Sequence, residues 1–288
     1  MIVLLTGHRG RLGPAIIEAL GRAGHAVRGF DLADGGDIRD TQAVAQAARG
    51  AQVIVHAAGL ADDRNGSPAD IMSVNVLGTW NVLLAAEANQ ISRVVYFSSG
   101  KSLGMLERNP DYLPMDDAHR GLPTRPYGLA KWLSEEMCAA FTQRTGIDTI
   151  CLRPVAVFDA QGYERMLKGP PRPAAPGAAW HMGVHIDVRD VAEATLRAVE
   201  TPFRGHARLL VCASDIADRR PTLELVAERL PHVEWRGGRE FSEDPFRALI
   251  DCSPAEEVLG FRPRYGWPGR TARVTPPGSA APVSKNRR

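Results

Sequence analysis

Leu5-Thr6-Gly7-His8-Arg9-Gly10-Arg11-Leu12-Gly13-Pro14 is the stretch on which the reading of this chain turns. Apolar Ile2 to Leu5 precedes it and the amphipathic run AIIEALGRAG (15–24) follows. The pattern predicts a strand, a tight glycine turn and a helix with Pro14 in its first turn, where a missing N–H costs nothing. Glycines belong in such a turn because a Cβ would block the approach of backbone N–H groups to a phosphate, which the helix N-terminus also attracts. Gly7, Gly10 and Gly13, with Arg9 and Leu12 between them, make a candidate pyrophosphate-binding turn. A glycine-rich loop without a ligand is the plainer alternative on three glycines alone.

The next apolar run, AVRGF (26–30), ends at Asp31, eighteen residues beyond Gly13. A carboxylate there accepts hydrogen bonds from both ribose hydroxyls of a dinucleotide and repels a 2′-phosphate, which favours NAD over NADP. Arg9 and Arg11 would offset part of that repulsion. Asp37 and Ile38 fall where a loop would reach an adenine ring. Further apolar runs, QVIVHA (52–57), RVVYFSS (93–99) and DTICLR (148–153), alternate with longer helical patterns. That rhythm is a βαβ series, so the expected class is α/β with a doubly wound parallel sheet.

After Pro154 the rhythm breaks into GPPRPAAPG (169–177), then resumes with a short strand (185–187), a helix (191–200), a strand (208–212) and two more helical patterns. The expected organisation is a dinucleotide-binding domain over 1–154, sheet completion with a small substrate-binding annex over 155–267, and a disordered basic tail over 268–288. The 288 residues are 44% hydrophobic and 24% charged, enough to bury a full core. The net charge of +2 hides an asymmetry, because Arg270, Arg273, Lys285, Arg287 and Arg288 lie in the tail without an acidic residue. The body is therefore net negative, and no nucleic-acid groove is expected. Cys138, Cys151, Cys212 and Cys252 form no CxxC and read as reduced, buried thiols. With no signal-peptide core and no run of about 18 apolar residues, the expected location is the cytoplasm, with no membrane partner.

Tyr127-Gly128-Leu129-Ala130-Lys131 opens a long helical pattern, and a spacing of four stacks phenol and ammonium on one face. An ammonium beside a phenol favours phenolate, and the positive ring of an oxidised nicotinamide would add to the effect. Together they would bring a group of reference pKa about 10 toward service as a base. Ser99, at the end of the fourth strand, would hold a substrate oxygen beside that phenol.

Taken together, TGxxGxxG (6–13), Asp31, HAAG (56–59), Asn75 in SVNVLGT, YFSSGKSLG (96–104), YGLAK (127–131), LRP (152–154), HIDVRDVAEA (185–194) and SPAEEVLGFRPRYGW (253–267) resemble the extended short-chain dehydrogenase/reductases, the NAD-dependent epimerase/dehydratase family. The resemblance covers nearly everything up to Trp267. It implies a Rossmann-type sheet and NAD as cofactor, with Gly7, Gly10 and Gly13 at the pyrophosphate and Asp31 at the ribose. It places Ala57, Ala58 and Gly59 along the dinucleotide trough, and Pro154 and Val155 near the carboxamide. Ser99, Tyr127 and Lys131 match the catalytic Ser, Tyr and Lys, with Lys131 also on the nicotinamide ribose. Asn75 is expected to brace the sheet. Trp80 and Trp132 sit on two helices that form a four-helix contact in relatives, which implies a homodimer.

The departures narrow the reaction. Sugar dehydratases of the family carry Thr-Asp-Glu where this chain has Ser99-Gly100-Lys101, so the carboxyl pair needed to eliminate water is missing. Many nucleotide-sugar epimerases carry an Asn after the fifth strand, where this chain has Val155-Ala156. The annex is also short, which suits a compact substrate. The expectation is an NAD-dependent dehydrogenase or reductase for a small polyhydroxylated or carboxylated molecule. The alternatives are a nucleotide-sugar 4-epimerase that retains its NAD and a non-catalytic dinucleotide-sensing protein. His56 reads as a packed strand-end residue, and His181, His185, Arg165, Arg172 and Arg189 as surface groups within reach of an anionic substrate. Asp116-Asp117 has no companion ligands at credible spacing, so no metal is expected.

Overall fold

The apolar runs become strands because helices cover them on both sides. VIVH (53–56) and RVVYF (93–97) are buried along their whole length, as parallel strands between two helical layers must be. The computed structural model describes residues 1–168 and 183–270. Its central sheet is parallel and has six strands: β1 (Ile2–Thr6), β2 (Ala26–Phe30), β3 (Val53–His56), β4 (Arg93–Phe97), β5 (Asp148–Pro154) and β6 (His206–Val211). They lie in the order β2-β1-β3-β4-β5-β6. The order reverses between β1 and β3. In open α/β sheets the crevice at the carboxyl ends of the strands beside such a reversal is where ligands bind.

Period-two alternation sends Val3 and Leu5 to one face and Leu4 to the other. On the first face α1 (Gly13–Arg22), α5 (Val188–Glu200) and α6 (Ser253–Leu259) contribute Ile16, Leu20, Val191, Ala198 and Leu259 to a core with Val55 and Leu152. On the second, α2 (Thr41–Ala48), α3 (Gly78–Ala88) and α4 (Pro126–Thr145) pack Val44, Val82, Leu83 and Phe141 against Ile54 and Tyr96. The helical stretch leading into α3 starts at Pro68, under a Ser67/Asp70 capping box, and passes through a π-helical segment, Met72–Leu77. Pro68–Ala88 is long and apolar enough to cross a membrane by length and composition, but half of that stretch is buried inside the fold.

A third core joins Leu103, Leu113 and Met115, which precede α4, to Val184, Ile216, Leu225, Phe241 and Leu249 from beyond β5. The annex thus recruits a segment from the first half of the chain. Two short parallel pairs tie it down, Tyr112–Leu113 with Glu234–Trp235 and Val157–Phe158 with Ile186–Asp187. The helix expected at 191–200 starts earlier, at Val188, because Asp187 caps it by accepting from the Arg189 N–H. Of the expected tail, Pro268–Arg270 form a short 3-10 turn. The rest of it, with GPPRPAAPG, Arg172 and His181, lies outside the described residues. Cys138, Cys151 and Cys212 are buried and unbridged, whereas Cys252 is only partly covered.

Phe141 fills the space between α4 and the sheet with almost no exposure. Phe141→Ala is expected to cost about 3–5 kcal/mol through lost burial and the cavity left behind. Urea unfolding followed by circular dichroism measures it, and a loss under about 1 kcal/mol would mean that this face is not close-packed.

Candidate active site

β1 delivers Gly7 to the carboxyl edge with φ +75°. Its N–H donates to the Phe30 carbonyl at 2.8 Å, and an added Cβ would lie 2.5 Å from the Ala58 nitrogen. No side chain fits there. The turn continues with Gly10 N–H to the Gly7 carbonyl (3.0 Å) and Gly13 N–H to the Gly10 carbonyl (3.1 Å). A Cβ on Gly13 would fall 1.9 Å from the His8 carbonyl oxygen, so glycine lets α1 start flush against the turn. Gly10 is less constrained, meeting only the Gly7 carbonyl at 3.1 Å. The cradle kept open between this turn and residues 57–59 fits a diphosphate.

Asp31 stands beside the turn, one oxygen accepting from Arg9 N–H and the other from Ala33 N–H, each at 3.0 Å. The guanidinium of Arg9 turns to Asp34 at 2.8 and 3.1 Å, and His8 Nε2 is 3.1 Å from the same carboxylate. Arg11 reaches Asp159 at 3.2 Å. Both guanidiniums expected to offset the repulsion of a 2′-phosphate are thus paired with carboxylates of their own, in exposed contacts. Asp37 and Ile38, expected where a loop would reach an adenine ring, lie between β2 and α2. The Arg39 guanidinium beside Asp37 holds its carboxyl below the usual range, and the Ile38 side chain is buried against Gly78.

Beyond β3, Ala57 N–H donates to the Thr6 carbonyl and Ala58 N–H to the Thr6 hydroxyl. Asn75 Oδ1 accepts from Leu60 N–H (2.8 Å) and its Nδ2 donates to the Leu60 carbonyl (3.0 Å). It braces the loop after β3 rather than the sheet. His56 is packed, as read, with Thr6 Oγ1 at 2.7 Å and Thr79 Oγ1 at 3.1 Å. Burial lowers its pKa to about 3, so it is neutral at physiological pH.

Ser99, Tyr127 and Lys131 come together at the carboxyl ends of β3 and β4. Ser99 caps a 3-10 turn (Gly100–Leu103), its Oγ accepting from Lys101 N–H at 3.2 Å. Asp63 accepts from Tyr127 N–H at 2.8 Å and so holds the first turn of α4. Lys131 Nζ donates to the Phe97 carbonyl at 2.7 Å and lies 5.8 Å from the centroid of the Tyr127 ring. Burial governs both groups. It pushes the Tyr127 phenol up to about 12, with the Ser99 hydroxyl opposing and Asp62 and Asp63 adding to the rise. It pulls Lys131 down to about 8, against the charge of Glu135. Desolvation outweighs the Lys131 ammonium, which is spent on a carbonyl, so of the two charges expected to lower the phenol the lysine's is not enough alone.

Sequence reasoning missed the support behind this cluster. Glu135, fully buried one turn beyond Lys131, accepts from Ser98 Oγ (2.5 Å), Ser102 Oγ (3.0 Å) and Arg153 Nε and Nη2 (2.9 and 2.8 Å). Arg153 Nη1 also meets Asp117 Oδ1 at 3.0 Å, and Asp117 accepts from Leu210 N–H. Two signals were available: the Lys131/Glu135 spacing of four, and an arginine inside an apolar strand, which burial obliges to find a partner.

A cleft of about 480 Å³ runs along these groups, lined by Gly7, Gly10, Leu12, Ala57, Gly59, Ser99, Tyr127, Lys131, Pro154, Val155 and Phe158. Of the other cations weighed from sequence, those among the described residues do not line it. Arg189 is paired with Asp187 and lies 3.5 Å over the Tyr265 ring, Arg165 is exposed on a helix (Ala160–Lys168), and His185 is buried among Phe158, Tyr163 and Trp267.

A doubly wound sheet with this turn and this polar cluster defines a dinucleotide-dependent enzyme of the short-chain dehydrogenase/reductase class. The model of the NAD dependent epimerase/dehydratase family matches residues 3–213, and the chain belongs to that family. It is accordingly an NAD-dependent enzyme. The chain is 28% identical over 269 residues to a uronate dehydrogenase of Pseudomonas syringae pv. tomato, covering 88% of this chain and 86% of that protein. It is 25% identical over 287 residues to a UDP-glucose 4-epimerase of Rhizobium meliloti, covering 88% and 85%. A short-chain dehydrogenase/reductase superfamily protein from Agrobacterium tumefaciens, solved with bound NAD, superposes with a TM-score of 0.69 at 24% identity over 93% of this chain and 94% of that one. That likeness speaks for the fold.

Arg153→Met would leave Glu135 and Asp117 buried without their cation. The expected loss is about 3–5 kcal/mol, partly restored by adding Glu135→Gln, since the uncompensated charge is what costs. Urea midpoints of the single and double variants test this, and an unchanged midpoint for Arg153→Met would show that water reaches the pair.

Proposed function

We propose that the protein is an NAD-dependent dehydrogenase or reductase acting at a secondary alcohol or carbonyl of a small sugar-like or carboxylated substrate. The observation that carries the reading is the convergence of Ser99, Tyr127 and Lys131 on the cleft of the glycine turn, with Gly100-Lys101 and Val155-Ala156 replacing the groups that elimination and nucleotide-sugar binding use. In this reading Gly7, Gly10 and Gly13, with Arg9 and Leu12, present backbone N–H groups to the diphosphate. Asp31 takes the ribose, Ala57, Ala58 and Gly59 the trough, Tyr127 and Lys131 the nicotinamide ribose, and Pro154 and Val155 the carboxamide. NAD, when bound, would supply the hydride acceptor and, in its oxidised form, a positive charge.

Ser99 Oγ orients the substrate hydroxyl toward Tyr127 Oη. The phenolate takes the hydroxyl proton as the carbon gives up its hydride, and Lys131 Nζ steadies the negative charge on Oη before that transfer. One secondary alcohol and one NAD⁺ become one carbonyl, one NADH and one proton. The supporting charge is needed because burial alone holds Tyr127 protonated at neutral pH.

The division of labour we propose puts cofactor binding in 1–154 and substrate contacts in 155–267. We also propose a cytoplasmic homodimer through α3 and α4, supported by Leu77 and Trp80, which remain 49% and 36% exposed. Trp132 fits less well, since it packs against Gly121 of its own chain. The similarity to UDP-glucose 4-epimerases supports a second reading, in which the carbon is oxidised and re-reduced with no net cofactor change.

Absorbance at 340 nm over free uronic acids, aldoses and nucleotide sugars separates the readings. Net NADH is expected with a free sugar or sugar acid, and Tyr127→Phe should lower kcat by about 10²–10⁴, far more than it weakens NAD binding. No net NADH alongside an isomerised nucleotide sugar would establish the epimerase instead, and a Tyr127→Phe protein with full biological effect would point to dinucleotide sensing.

Asp31→Ala removes a charged acceptor worth about 1.5–3 kcal/mol to the ribose, so kcat/KM with NAD should fall roughly tenfold to a hundredfold while that with NADP holds or rises. Equal losses with both cofactors would contradict the role given to Asp31.

A further inference from the structure

Charge in the substrate half of the cleft is almost fully spoken for. Among its described lining residues the cations are Arg11, Arg64, Lys101 and Lys131. Arg11 is paired with Asp159 at 3.2 Å and Arg64 with Asp62 at 2.5 Å. Lys131 is buried and committed to the Phe97 carbonyl. Lys101 differs from all three: among the described residues its ammonium has no ion-pair partner within 4 Å, and it lies 5.3 Å from the centroid of the Tyr127 ring.

The backbone of Lys101 is held firmly even though its head is uncommitted. Its N–H donates to Ser99 Oγ at 3.2 Å and its carbonyl accepts from Gly104 N–H at 3.0 Å. The same carbonyl packs on α4 so closely that a Cβ on Gly128 would come within 2.7 Å of it. One short turn therefore presents both the Ser99 hydroxyl and the Lys101 ammonium to the same space beside Tyr127. The carboxylate that feels Lys101 from the facing loop is Asp62, and both of its oxygens are already taken by Arg64.

We propose that Lys101 recognises a carboxylate on the substrate, and that the substrate of this cleft is consequently a singly charged sugar acid or related hydroxy acid. A half-buried ammonium gains a charge-assisted hydrogen bond from one carboxylate. A nucleotide diphosphate brings two charges, and with no second uncommitted cation in the described lining one of them would be desolvated without compensation. The inference rests on the dehydrogenase reading above and names the substrate group for it.

Binding separates the two claims. Calorimetric titration of glucuronate, glucose and UDP-glucose into the full chain saturated with NADH should show the acid binding at least tenfold tighter than the neutral sugar, with UDP-glucose the weaker of the two charged ligands. Lys101→Gln should erase the preference for the acid by weakening glucuronate roughly tenfold to a hundredfold, while glucose and NADH bind as before, which also shows the variant to be folded. Lys101→Arg should keep most of the preference. Equal binding of acid and neutral sugar by the wild type, binding of neither, a preference for the acid that survives Lys101→Gln, or tighter binding of UDP-glucose would each overturn the assignment. If Lys101 governs acid binding but no net NADH forms, the dehydrogenase reading falls and the recognition stands. If NADH forms from the acid and Lys101→Gln leaves KM unchanged, the recognition falls and the chemistry stands.

Discussion

A buried carboxylate cannot be left without donors, and Glu135 has four hydrogen bonds from three different elements. That single constraint ties the residue before Ser99, the 3-10 turn after it, the helix that carries Tyr127 and Lys131, and the strand that ends in Pro154. Arg153 passes the restraint on to Asp117 and so to the backbone of β6. Well-packed apolar groups often match such a network in stability, but they would not fix orientation. Here the network sets the spacing of the three polar groups that face the cleft.

The electrostatics of that cluster follow from its dryness. Burial drives the phenol and the ammonium toward their neutral forms, Tyr127 to about 12 and Lys131 to about 8. A positive charge brought next to them acts in the same low-dielectric space, where its effect on a phenol is far larger than in water. In the proposed mechanism the site holds its base in reserve, and the charge that would release it belongs to the oxidised form of the cofactor.

Most of the sheet was legible because the strands are apolar runs covered on both faces, and runs of that kind punctuated by glycine and proline have few other uses. The glycine turn was legible for a steric reason, visible in the contacts that a Cβ at Gly7 or Gly13 would make. What stayed hidden depends on long-range partners. Leu103 to Met115 reads as a loop until Leu225, Phe241 and Leu249 arrive from more than a hundred residues away to cover it. The resemblance led to Asn75 as a sheet brace, whereas its amide closes on Leu60. Asp34, Asp159 and Arg39 are the partners of Arg9, Arg11 and Asp37, pairings that the sequence reading did not make. Lys101, the cation of the described cleft lining that pairs with neither a carboxylate nor a carbonyl, lies in the turn whose departure from the dehydratase pattern was plain in the sequence.

The contact between Arg11 and Asp159 joins the phosphate-binding turn to the segment after β5, so it crosses the mouth of the cleft. With side chains 46% and 35% exposed, such a pair is worth at most about 1 kcal/mol. The wall on that side is therefore a seam rather than a bolt, one that thermal motion parts easily and that added salt loosens further. An enzyme that must trade its dinucleotide after every turnover needs a door of that kind, and one that keeps the same molecule through thousands of cycles does not.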